Sequence, residues 1–107
     1  MTKPLRVADA IADVDIPAIV AYHRPRSEQK SERIVAEYDR IIDLLLANRR
    51  LMPERSHGWR IYPFESGTYL LYYRELDAFW LVAGIFHALR DPDWILAQLV
   101  IREISHQ

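Results

Sequence analysis

The stretch WRIYPFESGTYLLYYRELDAFWLVAGIFHA, residues 59–88, decides the fold of this chain. Three segments rich in aromatic and aliphatic residues alternate with two turn-forming sequences: 59–64, Glu65-Ser66-Gly67, 68–74, Glu75-Leu76-Asp77 and 78–88. This alternation predicts three consecutive antiparallel strands. Pro63 lacks the N–H that a central strand needs, so we expect the first strand to lie at a sheet edge or to end there. The third strand is almost entirely apolar, which indicates burial on both faces, and its Gly84 indicates a bulge or a close neighbour.

Helical periodicity precedes these strands. A helix that begins after Ser27, its predicted cap, extends over about 20 residues because its apolar side chains share one face. That face comprises Ile34, Val35, Tyr38, Ile41, Ile42 and Leu45. An earlier helix has apolar residues at helical spacing as far as Tyr22, with Pro17 inside the pattern. Because proline disrupts a helix interior, this helix either begins late, near residues 13–15, or is kinked at Pro17.

A short strand at Leu5-Arg6-Val7-Ala8 and a last helix that begins at Asp91-Pro92-Asp93 complete the pattern. An acidic cap followed by proline is typical of the first turn of a helix. The order of elements is therefore β-α-α-β-β-β-α. We predict a single α+β domain over residues 1–107, with an antiparallel sheet, a helical hairpin on one face and a C-terminal helix.

The composition excludes several classes of function. The chain has 107 residues, a net charge of −1 and no Cys, so disulfides, thiolate metal sites and cysteine nucleophiles are ruled out. Proteins that bind nucleic acid usually carry a basic excess, so direct binding to nucleic acid is not expected. The longest apolar stretch, 79–89, has eleven residues, whereas a membrane span needs about 20. Residues 1–15 lack the apolar run of a signal peptide.

The four histidines do not have the spacing of a metal site, since no two lie three or four positions apart. We therefore expect no metal and no cofactor. Ser56-His57 and Ser105-His106 are sequence neighbours whose side chains diverge, so neither is a nucleophile with its base. His87 follows an apolar strand and precedes Arg90-Asp91. In one interpretation its ring nitrogens form hydrogen bonds with the backbone or with Asp91. In the other it serves as a general acid or base.

The chain has one local excess of positive charge, formed around Glu54 by Arg49, Arg50, Arg55 and Arg60. These residues form either a solvated rim or a site for a phosphate or an acidic partner peptide. Arg74 is expected to pair with Glu65 or Asp77, or to bind an anion.

The apolar residues of the last helix exceed a single stripe, so this helix is packed on two sides or exposes a face to a partner. A homodimer through this helix is one of the open interpretations. Most aromatic residues have core-facing periodicity, and the exceptions that could act as surface anchors are Trp59, Tyr62 and Trp94.

The order of elements and several local patterns resemble the RelE/ParE family of type II toxin–antitoxin toxins, most closely its ParE branch. The resemblance covers about residues 5–101 and is carried by Ala12-x-x-Asp15-Ile16-x-x-Ile19-x-x-Tyr22, by Ala47-Asn48-Arg49-Arg50-Leu51-Met52-Pro53, by the hairpin from Arg60 to Tyr73-Arg74, and by Phe86-His87-Ala88-Leu89-Arg90-Asp91-Pro92. The chain departs from the family at Pro17 and Pro63 and in its unusually apolar tail.

The resemblance implies a small cytoplasmic toxin that arrests growth and is neutralised by a cognate antitoxin, whose C-terminal segment lays a helix in an apolar groove. ParE-like members bind and poison DNA gyrase, and the near-neutral charge of this chain agrees with that branch. RelE-like members are ribosome-dependent mRNA endoribonucleases; in that alternative the catalytic set would be Arg60, Arg74 and His87. The predicted partner-binding residues are Arg49, Arg50, Arg55, Trp59, Arg60, Trp94 and Leu99.

Overall fold

The computed structural model describes residues 2–106, which fold into a four-stranded sheet with helices on both faces. The strands lie in the spatial order β1-β4-β3-β2 and comprise β1 (Leu5–Val7), β2 (Arg60–Pro63), β3 (Tyr69–Glu75) and β4 (Trp80–His87). The helices are α1 (Ile16–His23), α2 (Glu28–Ala47) and α3 (Pro92–Ser105). A π-helical turn (Ile11–Asp15) precedes α1, and a 3₁₀ turn (Ser56–Gly58) precedes β2. The predicted α+β fold and its order β-α-α-β-β-β-α are confirmed.

The sheet is mixed, but mostly antiparallel. β2, β3 and β4 form the predicted antiparallel series, and β2 lies at the edge, in agreement with Pro63. β1 pairs in parallel with β4 over three residues, with Leu5 opposite Trp80. The sequence of so short a strand does not specify its direction, so the parallel pair was not predictable from local pattern.

The α1–α2 hairpin covers one face of the sheet. From α2, Ile34, Ile41 and Leu45 are buried, as their spacing predicts, against Leu71 and Tyr73 of β3. Ser27 caps α2, since its side-chain oxygen accepts a hydrogen bond from the Lys30 N–H at 3.1 Å. Burial of this apolar stripe is the main stabilising contribution on this face.

The winding of the chain before α1 shows how the helix accommodates Pro17. This residue lies in the first turn of α1, and the chain preceding it is wound as the π-helical turn Ile11–Asp15. Proline lacks an N–H and its ring collides with the carbonyl four residues earlier, whereas a wider turn shifts that carbonyl. The helix therefore begins before Pro17 and changes its winding there. One consequence is that the carboxylate of Asp15 is turned into the protein, where the residue is 6% exposed.

α3 covers the opposite face of the sheet. Its Ile95 and Leu99 are buried against side chains of β3 and β4, among them Tyr72, Leu81 and Phe86. Both faces of β4 are consequently covered, which confirms the interpretation of its apolar sequence.

A bulge interrupts β4 at Ala83, next to its glycine. Tyr72 lies opposite Gly84 and Tyr73 lies opposite Val82, which leaves Ala83 as the extra residue. A Cβ atom on Gly84 would lie 2.5 Å from Cε2 of Phe86 and 2.7 Å from Nη1 of Arg102. Both expectations for Gly84, a bulge and a close neighbour, are therefore confirmed.

A buried ion pair between Asp15 and Arg102 closes the outer edge of β4 at this bulge. Two hydrogen bonds join the guanidinium to the carboxylate, with Nη1–Oδ2 at 2.6 Å and Nη2–Oδ1 at 2.9 Å. The Ile85 N–H donates to Asp15 Oδ2 at 3.0 Å, and Arg102 Nη1 donates to the Ala83 carbonyl at 3.0 Å. The pair therefore satisfies backbone groups of β4 beyond Val82, where β1 no longer runs beside it.

Replacement of Asp15 by alanine is expected to lower the free energy of unfolding by about 3–5 kcal/mol, because it leaves the Arg102 charge buried without a counterion. Urea denaturation monitored by circular dichroism measures this loss. The matched control is Arg40→Ala, which removes an exposed pair with Glu37 and should cost less than about 1 kcal/mol. Equal costs for the two variants would contradict the structural role given to Asp15.

Candidate partner-binding surfaces

The predicted basic residues divide between two places in the fold. Arg49 and Arg50, which follow α2, lie with Arg60 of β2 near Trp80 and are joined there by Lys3 from the N-terminal segment. We call Lys3, Arg49, Arg50 and Arg60 the basic cluster. Arg55 is instead exposed at the rim of an apolar groove beside α3.

Charge in the basic cluster is partly neutralised within the chain. Lys3 Nζ lies 2.8 Å and Arg50 Nη2 lies 3.3 Å from the carboxylate of Glu75. The hydrogen bond from Lys3, together with the charges of Arg50 and Arg60, lowers the pKa of the Glu75 carboxyl. The guanidinium groups of Arg50 and Arg60 lie 5.4 and 5.5 Å from the Trp80 ring centroid. Lys3, Arg49 and Arg50 border a cleft of about 410 Å³, where they outnumber Glu75 and leave an excess of positive charge that suits anionic groups of a partner.

An apolar groove of about 200 Å³ lies between α3, the turn before β2 and the exposed part of the sheet. The residues that line it are Arg55, Ser56, Trp59, Ile61, Tyr72, Pro92, Ile95 and Leu96. The turn beside the groove is tight, since His57 and Gly58 both have left-handed backbone conformations, with φ of 61° and 80°. An apolar floor with one cationic rim residue is a surface on which an amphipathic acidic helix can pack.

Two predicted partner-binding residues lie in the core. Trp59 is 3% exposed and forms a wall of the groove, while Leu99 is fully buried between α3 and the sheet. The prediction that Trp59 is a surface anchor is therefore wrong, because the turn folds its indole against Arg74, whose guanidinium lies 5.1 Å from the ring. Leu99 belongs to the inward face of α3, which its sequence could not distinguish from the outward one.

The outward face of α3 is apolar. Trp94, Val100, Ile101 and Ile104 are all exposed, and Ala97 lies among them on the same side of the helix. The Trp94 ring also packs edge-on against Phe86 and beneath the guanidinium of Arg90. This surface, which we call the outer face of α3, agrees with the interpretation that the last helix exposes residues beyond its core stripe.

The three residues of the ribonuclease alternative are not brought together. Arg60 lies opposite Tyr73 and His87 lies opposite Tyr69, which separates them by about 13 Å along the sheet. Arg74 alternates with Tyr73 and lies on the other face, where it pairs with Glu103 at 3.3 Å rather than with Glu65 or Asp77. His87 Nδ1 accepts a hydrogen bond from the Leu89 N–H at 3.1 Å, which agrees with the structural interpretation of this residue.

A histidine–tyrosine cluster that the sequence did not reveal lies at the opposite end of the sheet from the basic cluster. His23 Nε2 and the Tyr69 hydroxyl are 2.8 Å apart, and the Tyr69 ring packs edge-on against His87 with centroids 5.6 Å apart. Burial lowers the pKa of His23, and the nearby charges of Lys30, Arg26 and His87 lower it further. Burial also raises the pKa of Tyr69. A neutral imidazole bonded to a neutral phenol is stable here at physiological pH.

Within residues 2–106, no group of three or more His, Asp or Glu side chains is placed to hold a metal ion. None of the helices in the same range combines the length and apolar character that crossing a bilayer requires. A scan against models of known protein families finds no match, and a search of curated proteins finds no significant relative.

Stability is expected to fall between pH 7.5 and 5.5 in a way that depends on His23. Because folding lowers the pKa of His23 from 6.5, the unfolded chain binds more protons in this range, and stability is lost as the pH falls through the unfolded value. In His23→Gln this part of the slope should disappear, as urea denaturation at several pH values would show. The exposed His57→Asn variant should keep the wild-type slope, and an unchanged slope in His23→Gln would exclude His23 as its source.

Proposed function

We propose that this chain is the toxin of a type II toxin–antitoxin pair, similar to ParE, which arrests growth by binding DNA gyrase and is neutralised by a cognate antitoxin. The observation that carries the proposal is the apolar groove beside α3 with Arg55 at its rim. Another polypeptide could bury apolar side chains in the groove and pair an acidic residue with Arg55. The basic cluster adds a second surface of the same sign on the hairpin face of the sheet.

The fold supports the same proposal. The order β-α-α-β-β-β-α and the antiparallel β2-β3-β4 series agree with what the resemblance to the RelE/ParE family implies. A fold alone hosts many functions, so the surfaces must carry the functional argument. Here the predicted ribonuclease side chains Arg60, Arg74 and His87 are separated and bonded within the chain, which favours binding over RNA cleavage.

The groove suits a specific kind of antitoxin segment. A helix with apolar residues at i, i+3 and i+4 could insert one or two of them between Ile61, Tyr72 and Leu96. An acidic residue beside them would meet Arg55, whose side chain is exposed at the rim. Desolvated apolar contacts would provide most of the affinity, and the ion pair at the rim would mainly accelerate association.

The test of the target is a supercoiling assay with purified gyrase and purified chain. The proposal predicts inhibition of supercoiling that is reversed when the antitoxin, expected from a small reading frame next to this one, is added in equimolar amount. Full supercoiling activity in the presence of excess folded chain would contradict gyrase as the target. Cleavage of messages in arrested cells would instead support the ribonuclease alternative.

Variants of the groove test how the antitoxin binds. Leu96→Asp should weaken the complex by about tenfold or more, because it puts an unpaired charge into a desolvated contact. Arg55→Glu should slow association and reduce its dependence on salt concentration. Arg33→Glu, on the exposed side of α2, makes the same charge reversal away from the groove and should bind as the wild type does.

Surface plasmon resonance measures both rates for each variant. Equal binding by Leu96→Asp, Arg55→Glu and Arg33→Glu would show that the antitoxin occupies a different surface. Circular dichroism spectra of the variants should match that of the wild type, since Arg55 and Arg33 are exposed and Leu96 is partly exposed.

A further inference from the structure

The outer face of α3 has the spacing of a helix-pairing seam. Trp94, Ala97, Ile101 and Ile104 follow one another at intervals of three, four and three residues, which places them on one side of the helix. Ile101 and Ile104 are 58% and 65% exposed, so the fold leaves most of their apolar surface uncovered, and Trp94 is 39% exposed. The core contacts of the helix come from its opposite side, through Ile95 and Leu99.

The charges of α3 lie away from the centre of this seam. Arg102 points inward to Asp15, and Glu103 pairs with Arg74. Asp93 lies in the first turn, where it complements the helix dipole. The central part of the outer face therefore contains no charge that could select an oppositely charged partner.

We infer that the outer face of α3 binds a second copy of this chain, with the two helices antiparallel about a two-fold axis. If the axis crosses the outer face at the level of residue 99 along the helix, Trp94 faces the partner's Ile104 and Ala97 faces the partner's Ile101. The small Ala97 leaves room for the larger Ile101, so that a knob meets a hole on both sides of the axis. Val100 flanks the seam close to the axis and therefore lies near the partner's Val100.

Electrostatics favour this arrangement of two copies. A two-fold interface brings each residue near the axis close to its own copy, so that any charge there would meet a like charge. Ala97, Gln98, Val100 and Ile101 avoid this repulsion because all four are uncharged. The antiparallel helix dipoles attract each other, whereas each Asp93 carboxylate lies near the negative C-terminal end of the other helix and weakens the pair.

The size of the seam sets the expected strength of the dimer. From Trp94 to Ile104 the helix rises about 15 Å, so the contact is smaller than the roughly 1,600 Å² of a standard interface. We therefore expect a dimer that dissociates in the micromolar range rather than an obligate one. The groove of the proposed function opens beside Ile95 and Leu96, on a different side of α3, so this dimer does not depend on that function.

Sedimentation velocity over a micromolar to millimolar range tests the dimer. The wild type should shift from monomer to dimer as concentration rises, and Ile101→Glu should remain monomeric because it places a carboxylate in the seam. The matched control is Leu46→Glu, which changes another exposed aliphatic side chain, on α2, and should dimerise as the wild type does. A wild type that stays monomeric throughout, or a dimer that survives in Ile101→Glu, would overturn the proposal.

Cysteine cross-linking tests the direction of the helices, since the chain contains no cysteine of its own. Under mild oxidation Val100→Cys should form a disulfide-linked dimer rapidly, because the two introduced thiols lie near the axis. Asp93→Cys should not, since its two copies would be about 18 Å apart, far beyond the reach of a disulfide. Rapid cross-linking of Asp93→Cys with none at Val100→Cys would contradict the antiparallel arrangement.

The antitoxin of the proposed function is the other candidate for this face. If the wild type is monomeric alone while Ile101→Glu no longer binds the antitoxin, the face belongs to that partner and the dimer is excluded. If Ile101→Glu is monomeric and still binds the antitoxin, the two surfaces are separate, as inferred here. A negative result in the gyrase assay would leave either outcome unchanged.

Discussion

The ion pair between Asp15 and Arg102 is the constraint on which the arrangement of the layers depends. The two residues are 87 positions apart in sequence, yet their side chains meet at the bulge of β4 and bind its Ile85 N–H and Ala83 carbonyl. Two buried charges cost several kcal/mol each to desolvate, and here each is offset by the other and by the backbone. One contact thus joins the helical turn before α1, the central strand and the C-terminal helix.

The same contact fixes how α3 is rotated on the sheet. Successive residues of a helix differ by about 100° in direction, so the inward position of Arg102 determines which side chains point elsewhere. Leu96 is directed towards the groove beside Arg55, and Ile101 and Ile104 are directed to solvent. Both surfaces proposed to bind polypeptides are therefore consequences of the inward Arg102. Gly84 is required for the same reason, because any side chain at that position would collide with the guanidinium.

Local signals were sufficient for much of the fold. The cap at Ser27, the edge position of the strand containing Pro63 and the turn at Glu65-Ser66-Gly67 depend on neighbouring residues, and the structure confirms each. Burial of Trp59 and Leu99 depends on how distant elements pack, and an apolar residue has the same local signature in a core as on a binding face.

Polar pairs between residues far apart in the chain could not be predicted from the sequence for a related reason. Arg74 has acidic neighbours in sequence at Glu65 and Asp77, but it reaches Glu103 because α3 crosses its face of the sheet. His23 and Tyr69 likewise meet only through the packing of α1 on β3. Spacing rules detect pairs on one helix or strand, whereas these pairs join different elements. The candidate site could therefore be anticipated as a type of surface, apolar with a basic rim, but not as a set of residues.

Hydrogen–deuterium exchange of the chain, alone and with its antitoxin, tests most directly whether a polypeptide occupies the surface that Arg102 positions. Binding should slow exchange in residues 55–61 and 92–96 and leave residues 22–30, around His23, unchanged. Protection confined to residues 22–30, with the groove exchanging as in the free chain, would contradict this expectation.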